Sequence, residues 1–138
     1  RALLRAMHFY AENDRVQRAV FALEQDDLTG FFRMLYESGH SSWRLLQNIS
    51  VPGATEQTLA LALAETERLI DGRGACRVHG GGFAGTILAF VPNAAIRDYI
   101  PRMEALFGKG CVCVLGLRSF GALRLAAGPD SILPEIKG

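Results

Sequence analysis

Four glycines in six positions, Gly80, Gly81, Gly82 and Gly85 around Phe83 and Ala84, restrict this chain more than any other feature. Glycine reaches positive φ at little cost and lets a backbone come close to a ligand or to another backbone. A two-residue hairpin turn needs only one or two glycines. Four therefore favour a surface of close approach over a tight hairpin whose geometry alone demands them. Read literally, Gly80, Gly82 and Gly85 spell a dinucleotide fingerprint, but that fingerprint runs from a strand into a helix. Here Ala75–His79 alternates before the glycines, and Thr86–Val91 is a continuous apolar run bounded by Gly85 and Pro92, the mark of a strand. The turn joins two strands, and its successive N–H groups suit an anion nest or a ledge against a phosphate or sugar held elsewhere.

Periodicity around that unit predicts helices. On a 3.6-residue wheel Ala2, Ala6, Phe9, Val16, Val20 and Leu23 share one side, interrupted by Asn13, and Arg5, Glu12, Arg15 and Arg18 lie toward the other. Asp26 or Asp27 caps a second helix with Leu28, Phe31, Phe32 and Leu35 on one stripe, which Gly39 ends. Trp43–Gln47 reads as a short helical turn, and Pro52 with Gly53 as the next break. Thr55 caps a third helix, with Leu59, Leu63 and Ile70 on its buried face and Gly72 after it. Asn93 caps a fourth, with Ile96, Tyr99, Ile100, Met103, Leu106 and Phe107 on one stripe. Pro101 is expected to kink or divide it, because proline removes a donor and clashes with the carbonyl four residues back. Cys111–Leu117 and Ala122–Ala126 pair as two further strands around Ser119–Gly121, and the tail after Gly128 has little pattern. The class is α+β in one domain spanning 1–138, with a helical part to about residue 72, a sheet-rich part over about 73–128, and helices on one side of an antiparallel sheet.

A chain of 138 residues with 49% hydrophobic and 21% charged residues buries one core. With 15 basic against 14 acidic residues, no electrostatic footprint for nucleic acid or an acidic membrane is expected. No apolar run is long enough to span a bilayer and no signal peptide is legible, so the expectation is a cytoplasmic protein. The chain opens at Arg1, inside a helical pattern and without a methionine, as a fragment would. Cys76, Cys111 and Cys113 read as reduced core cysteines, and His8, His40 and His79 have no ligand spacing between them, so no metal site is expected. His40-Ser41-Ser42 reads as helix capping rather than nucleophilic chemistry, since neighbours in sequence rarely form a relay. His79, at a strand end, is a possible contact to a sugar hydroxyl or a phosphate, set against an ordinary solvated histidine.

Cys76-Arg77-Val78-His79-Gly80-Gly81-Gly82-Phe83-Ala84-Gly85-Thr86 resembles the third conserved motif of galactokinases, members of the GHMP small-molecule kinases. The likeness extends to Arg1–Val16, with His8, Glu12, Asn13 and Arg15, and to Leu35-Tyr36-Glu37-Ser38-Gly39-His40-Ser41-Ser42. It departs from the family at His79, usually threonine, at Ala84, usually glycine, and at Val51-Pro52-Gly53-Ala54-Thr55. The resemblance implies a ferredoxin-like C-terminal domain of a kinase that moves the γ-phosphate of MgATP to the anomeric hydroxyl of galactose or a related sugar. It also implies that Gly80, Gly81, Gly82, Phe83, Ala84 and Gly85 line the substrate and phosphates, with Phe83 packing the turn on the domain. No counterpart of the family's phosphate loop, sugar-binding segment or catalytic aspartate and arginine is found. The cofactors ATP and Mg2+ then belong to the full-length enzyme, the partner is the N-terminal catalytic region of the same protein, and the isolated domain is expected to be inactive and to self-associate. The alternatives are a non-catalytic sugar-sensing relative and a stand-alone ligand-binding domain.

Overall fold

The computed structural model describes residues 1–83 and 85–121. Helix α1 (Ala2–Glu24) and helix α2 (Leu28–Ser41) form a hairpin, and α2 continues directly into a π-helical turn, Ser42–Leu46. Helix α3 (Thr58–Ile70), strands β1 (Ala75–Val78) and β2 (Ile87–Phe90), a 3-10 turn (Asn93–Ala95) and helix α4 (Ile96–Phe107) follow. The described residues are thus mixed helix and sheet, in the order expected as far as residue 107. Their sheet is the antiparallel pair β1–β2, in which Ala75 faces Phe90, Cys76 faces Ala89, Arg77 faces Leu88 and Val78 faces Ile87.

Side chains alternate across a strand, and directly opposed residues share a face. Cys76, Val78, Ala89 and Ile87 meet Ile49, Leu59 and Leu63, which is the apolar core between the sheet and α3. The other face meets α2: the Phe31 and Phe32 rings lie 5.7 and 5.8 Å from the Phe90 ring, and Arg77 reaches back to α1 and α2. Helices therefore cover both faces, not one. Apolar residues on both faces of β1 and β2 require cover on both, and the α1–α2 hairpin supplies the second layer.

The inward stripe of α1 reverses the expected one. Leu4, His8, Ala11, Glu12, Arg15, Ala19 and Ala22 turn inward, whereas Phe9, Val16, Val20 and Leu23 are exposed. Ionic side chains can line an inward face when they neutralise and hydrogen-bond one another, as Glu12 and Arg15 do here. Asn13 is exposed, outside the inward stripe.

Asp27 caps α2, accepting a hydrogen bond from the Gly30 N–H at 2.8 Å. Gly39 does not end that helix. A Cβ there would stand 3.0 Å from Arg77 Cβ, so this glycine serves close packing of α2 on β1. Thr55 does not cap α3, which begins at Thr58 with Gln57 before it and no side-chain cap bond. Leu59, Leu63 and Ile70 are buried as expected, joined by Thr66, whose hydroxyl meets the Tyr99 hydroxyl of α4 at 3.0 Å. Asn93 opens the 3-10 turn without a side-chain cap bond, and Pro101 lies inside an undivided α4. Pro101 and Arg97 are both exposed, so water can satisfy the carbonyl that the proline leaves free, and burial of Tyr99 and Met103 holds the helix. Among the described residues, 111–117 form no strand and pair with neither β1 nor β2, and Cys111 and Cys113 are exposed rather than core. Ala122–Ala126 lies outside the described residues.

Candidate functional site

The glycine turn caps the open end of the β1–β2 hairpin. The His79 N–H donates to the Thr86 carbonyl at 3.0 Å and closes the neck of the loop. Gly80, Gly82, Gly85 and also Phe83 have positive φ, which explains three of the glycines by conformation alone. At Gly80, Gly81 and Gly85 an added Cβ would meet nothing within 4 Å, so their backbone forms an open ledge without side chains. Gly82 is different. Its Cβ would lie 2.2 Å from the Asn48 carbonyl oxygen, and only glycine lets the turn sit so low.

Phe83 does not pack the turn on the domain. Its side chain is 53% exposed, and what docks the turn is its own N–H, donating to the Asn48 carbonyl at 3.0 Å. His79 is exposed beside the ledge, and Ala84 lies outside the described residues. Asn48, buried at 4% exposure, also sends its amide N–H to the Gly81 carbonyl at 3.5 Å and accepts from the Ser42 hydroxyl at 3.2 Å. Sequence reasoning missed Asn48 and the service Ser42 gives it. The polar pair Gln47-Asn48 between apolar Leu46 and Ile49 is the only local hint, because Asn48 and Gly81 are 33 residues apart in the chain.

Two residues before His79 the strand is anchored by a polar knot. Glu12 accepts from Arg77 Nη1 at 3.1 Å, from Arg15 Nε at 2.9 Å and from the Ser38 hydroxyl, and Arg77 also donates to Ser38. Arg77 Nε donates to the Val78 carbonyl at 3.1 Å. Burial alone would raise the Glu12 carboxyl, but hydrogen bonds from Ser38 and Arg15, the Arg15 charge and the Arg77 bond outweigh it and hold it below its ordinary 4.5. Beside this knot, His8 Nδ1 and the Ser41 hydroxyl share a hydrogen bond of 3.0 Å, and burial holds the imidazole below its ordinary 6.5. The structure thus brings His8, Glu12 and Arg15 of α1 and Ser38 and Ser41 of α2 together with Arg77 of β1 at the foot of the turn. His40 stays apart from that knot, its ring tilted 42° against that of Tyr36 with centres 4.2 Å apart, so His40-Ser41-Ser42 is no relay. Among the described residues, no set of three or more His, Cys, Asp or Glu side chains is gathered as metal ligands.

The chain is 39% identical to a galactokinase of Haemophilus influenzae over 93 residues, 67% of its own length. It is 38% identical to one of Staphylococcus carnosus over 96 residues and 37% identical to one of Glaesserella parasuis over 95. Over that stretch the chain resembles the galactokinases. The aligned part spans only 22–23% of those relatives' own length, so this chain corresponds to one portion of them. No protein-family model and no solved structure matches.

Proposed function

We propose that this chain is the C-terminal domain of a galactokinase-like sugar kinase of the GHMP type, with the ferredoxin-like architecture that this family implies. The full-length protein transfers the γ-phosphate of MgATP to the anomeric hydroxyl of galactose or a related sugar in the cytoplasm, and this domain alone does not turn over. The observation that carries the proposal is the ledge of Gly80, Gly81 and Gly85, open on its outer side at each of these three positions and carried by a two-strand hairpin.

Phosphoryl transfer depends chiefly on positioning and on stabilising negative charge spread over the phosphoryl oxygens. The ledge contributes what a backbone can: N–H donors and close approach to a phosphate or sugar, with His79 at its edge. ATP supplies the transferred phosphoryl group. Metal binding is assigned to the N-terminal catalytic region that completes the enzyme. The knot of Glu12, Arg15, Ser38 and Arg77 fixes the strand that bears the ledge.

The test is ADP release by the full-length protein with galactose and MgATP, alongside the isolated domain. Turnover by the former and none by the latter is expected. A full-length protein that binds galactose without releasing ADP would replace the kinase by a sugar sensor.

A further inference from the structure

We infer that Asn48 is a positioning residue for the glycine turn, setting the height and orientation of the ledge without touching the ligand. The inference rests on the kinase reading above for its catalytic consequence, while its geometry stands independently. Beyond the bond that closes the neck of the loop, the hydrogen bonds that fix the turn's tip among the described residues both go to Asn48. Its carbonyl accepts from the Phe83 N–H at 3.0 Å, and its side-chain amide donates to the Gly81 carbonyl. Gly82 rests on the same residue, with no room for a Cβ.

Asn48 is itself held from behind. The Ser42 hydroxyl, 1% exposed at the start of the π-helical turn, donates to its side-chain oxygen, which orients the amide nitrogen toward Gly81. Gln47, in the left-handed conformation with φ 57°, reverses the chain after the π-helical turn and delivers Asn48 under the loop. The end of α2 and the tip of the hairpin are thereby locked together, and a shift of α2 moves the ledge. A side chain that orients a loop of backbone donors changes rate more than ground-state binding, because the donors must meet charge that develops during the reaction.

The experiment uses the full-length protein and the variants Asn48→Ala and Ser42→Ala, the second being a milder release of the amide that leaves the space filled. Two measurements are made: hydrogen exchange along the chain, and kcat and KM with galactose and MgATP. The expectation is faster exchange confined to residues 80–85, with β1, β2 and α3 unchanged. With it, kcat falls about tenfold to a hundredfold for Asn48→Ala, the scale of a small misplacement of reacting groups, and less for Ser42→Ala, with KM nearly constant. Unchanged exchange in the turn, or an increase spread evenly over the domain, overturns the inference. So does faster turn exchange with kcat unchanged. A wild-type protein without turnover removes the kinase reading alone, and exchange in the turn then decides the role of Asn48 by itself.

Discussion

Glu12 carries more of the local order than its position in a helix of mixed pattern suggests. It is the common acceptor for Ser38, Arg15 and Arg77, and its side chain is 24% exposed. Replacing it by glutamine leaves two guanidinium groups without their counter-charge, at a cost of about 1–3 kcal/mol. The folded state holds this carboxyl below its ordinary 4.5, so the ionised form is the one stabilised. Its contribution is complete above about pH 4.5 and fades as pH falls through the folded value. Thermal melts should therefore show wild type well above Glu12→Gln at pH 7, with the gap closing below that point; a gap independent of pH would contradict this. The cysteines make a second test. Burial pushes the Cys76 thiol up to about 12, while Cys111 and Cys113 are exposed. A thiol reagent should label Cys111 and Cys113 in the native protein and reach Cys76 only after denaturation, since the thiolate is the reactive form. Neither result was legible in the sequence, where all three cysteines read as core and Glu12 as a solvent-facing charge. Which face of α1 turns inward depends on what lies against it, and that comes from Ser38 and Arg77, 26 and 65 residues away.

At the scale of elements, periodicity located the four α-helices and both hairpin strands of the described residues, while ends and interruptions went astray. Gly39 carries the usual mark of a helix stop, yet α2 runs on to Ser41 because the missing side chain is used for contact with β1. Pro101 carries the usual mark of a break, yet α4 continues because the proline sits on its exposed side. The cost remains even though the helix tolerates it. Pro101→Ala restores a donor for the Arg97 carbonyl and should stabilise the domain by about 1–3 kcal/mol. A raised melting temperature checks this, and an unchanged or lowered one would show that the proline is fully accommodated.

Over the whole molecule, the outward side of α1 is the feature that departs most from an ordinary soluble surface. Leu3, Phe9, Tyr10, Val16, Val20, Phe21 and Leu23 are exposed along it, and Val114, Leu115 and Leu117 are exposed elsewhere. Apolar surface on that scale favours association. The isolated domain should show, in light scattering, a mass above 15.0 kDa that grows with concentration. A strictly monomeric species at high concentration would count against it. Among the described residues no helix is long and apolar enough to cross a membrane.

By itself, the sequence determined the α+β class, the order of elements to the end of α4, the hairpin around the glycines, and the likeness to galactokinases. These are local or short-range properties: period, turn chemistry and a motif of contiguous residues. Only the tertiary structure decided that helices cover both faces of the sheet, that a charged stripe of α1 turns inward, and that Asn48 rather than Phe83 seats the turn. Each of these depends on residues far apart in the chain meeting in space, and no window of sequence contains both partners of such a contact.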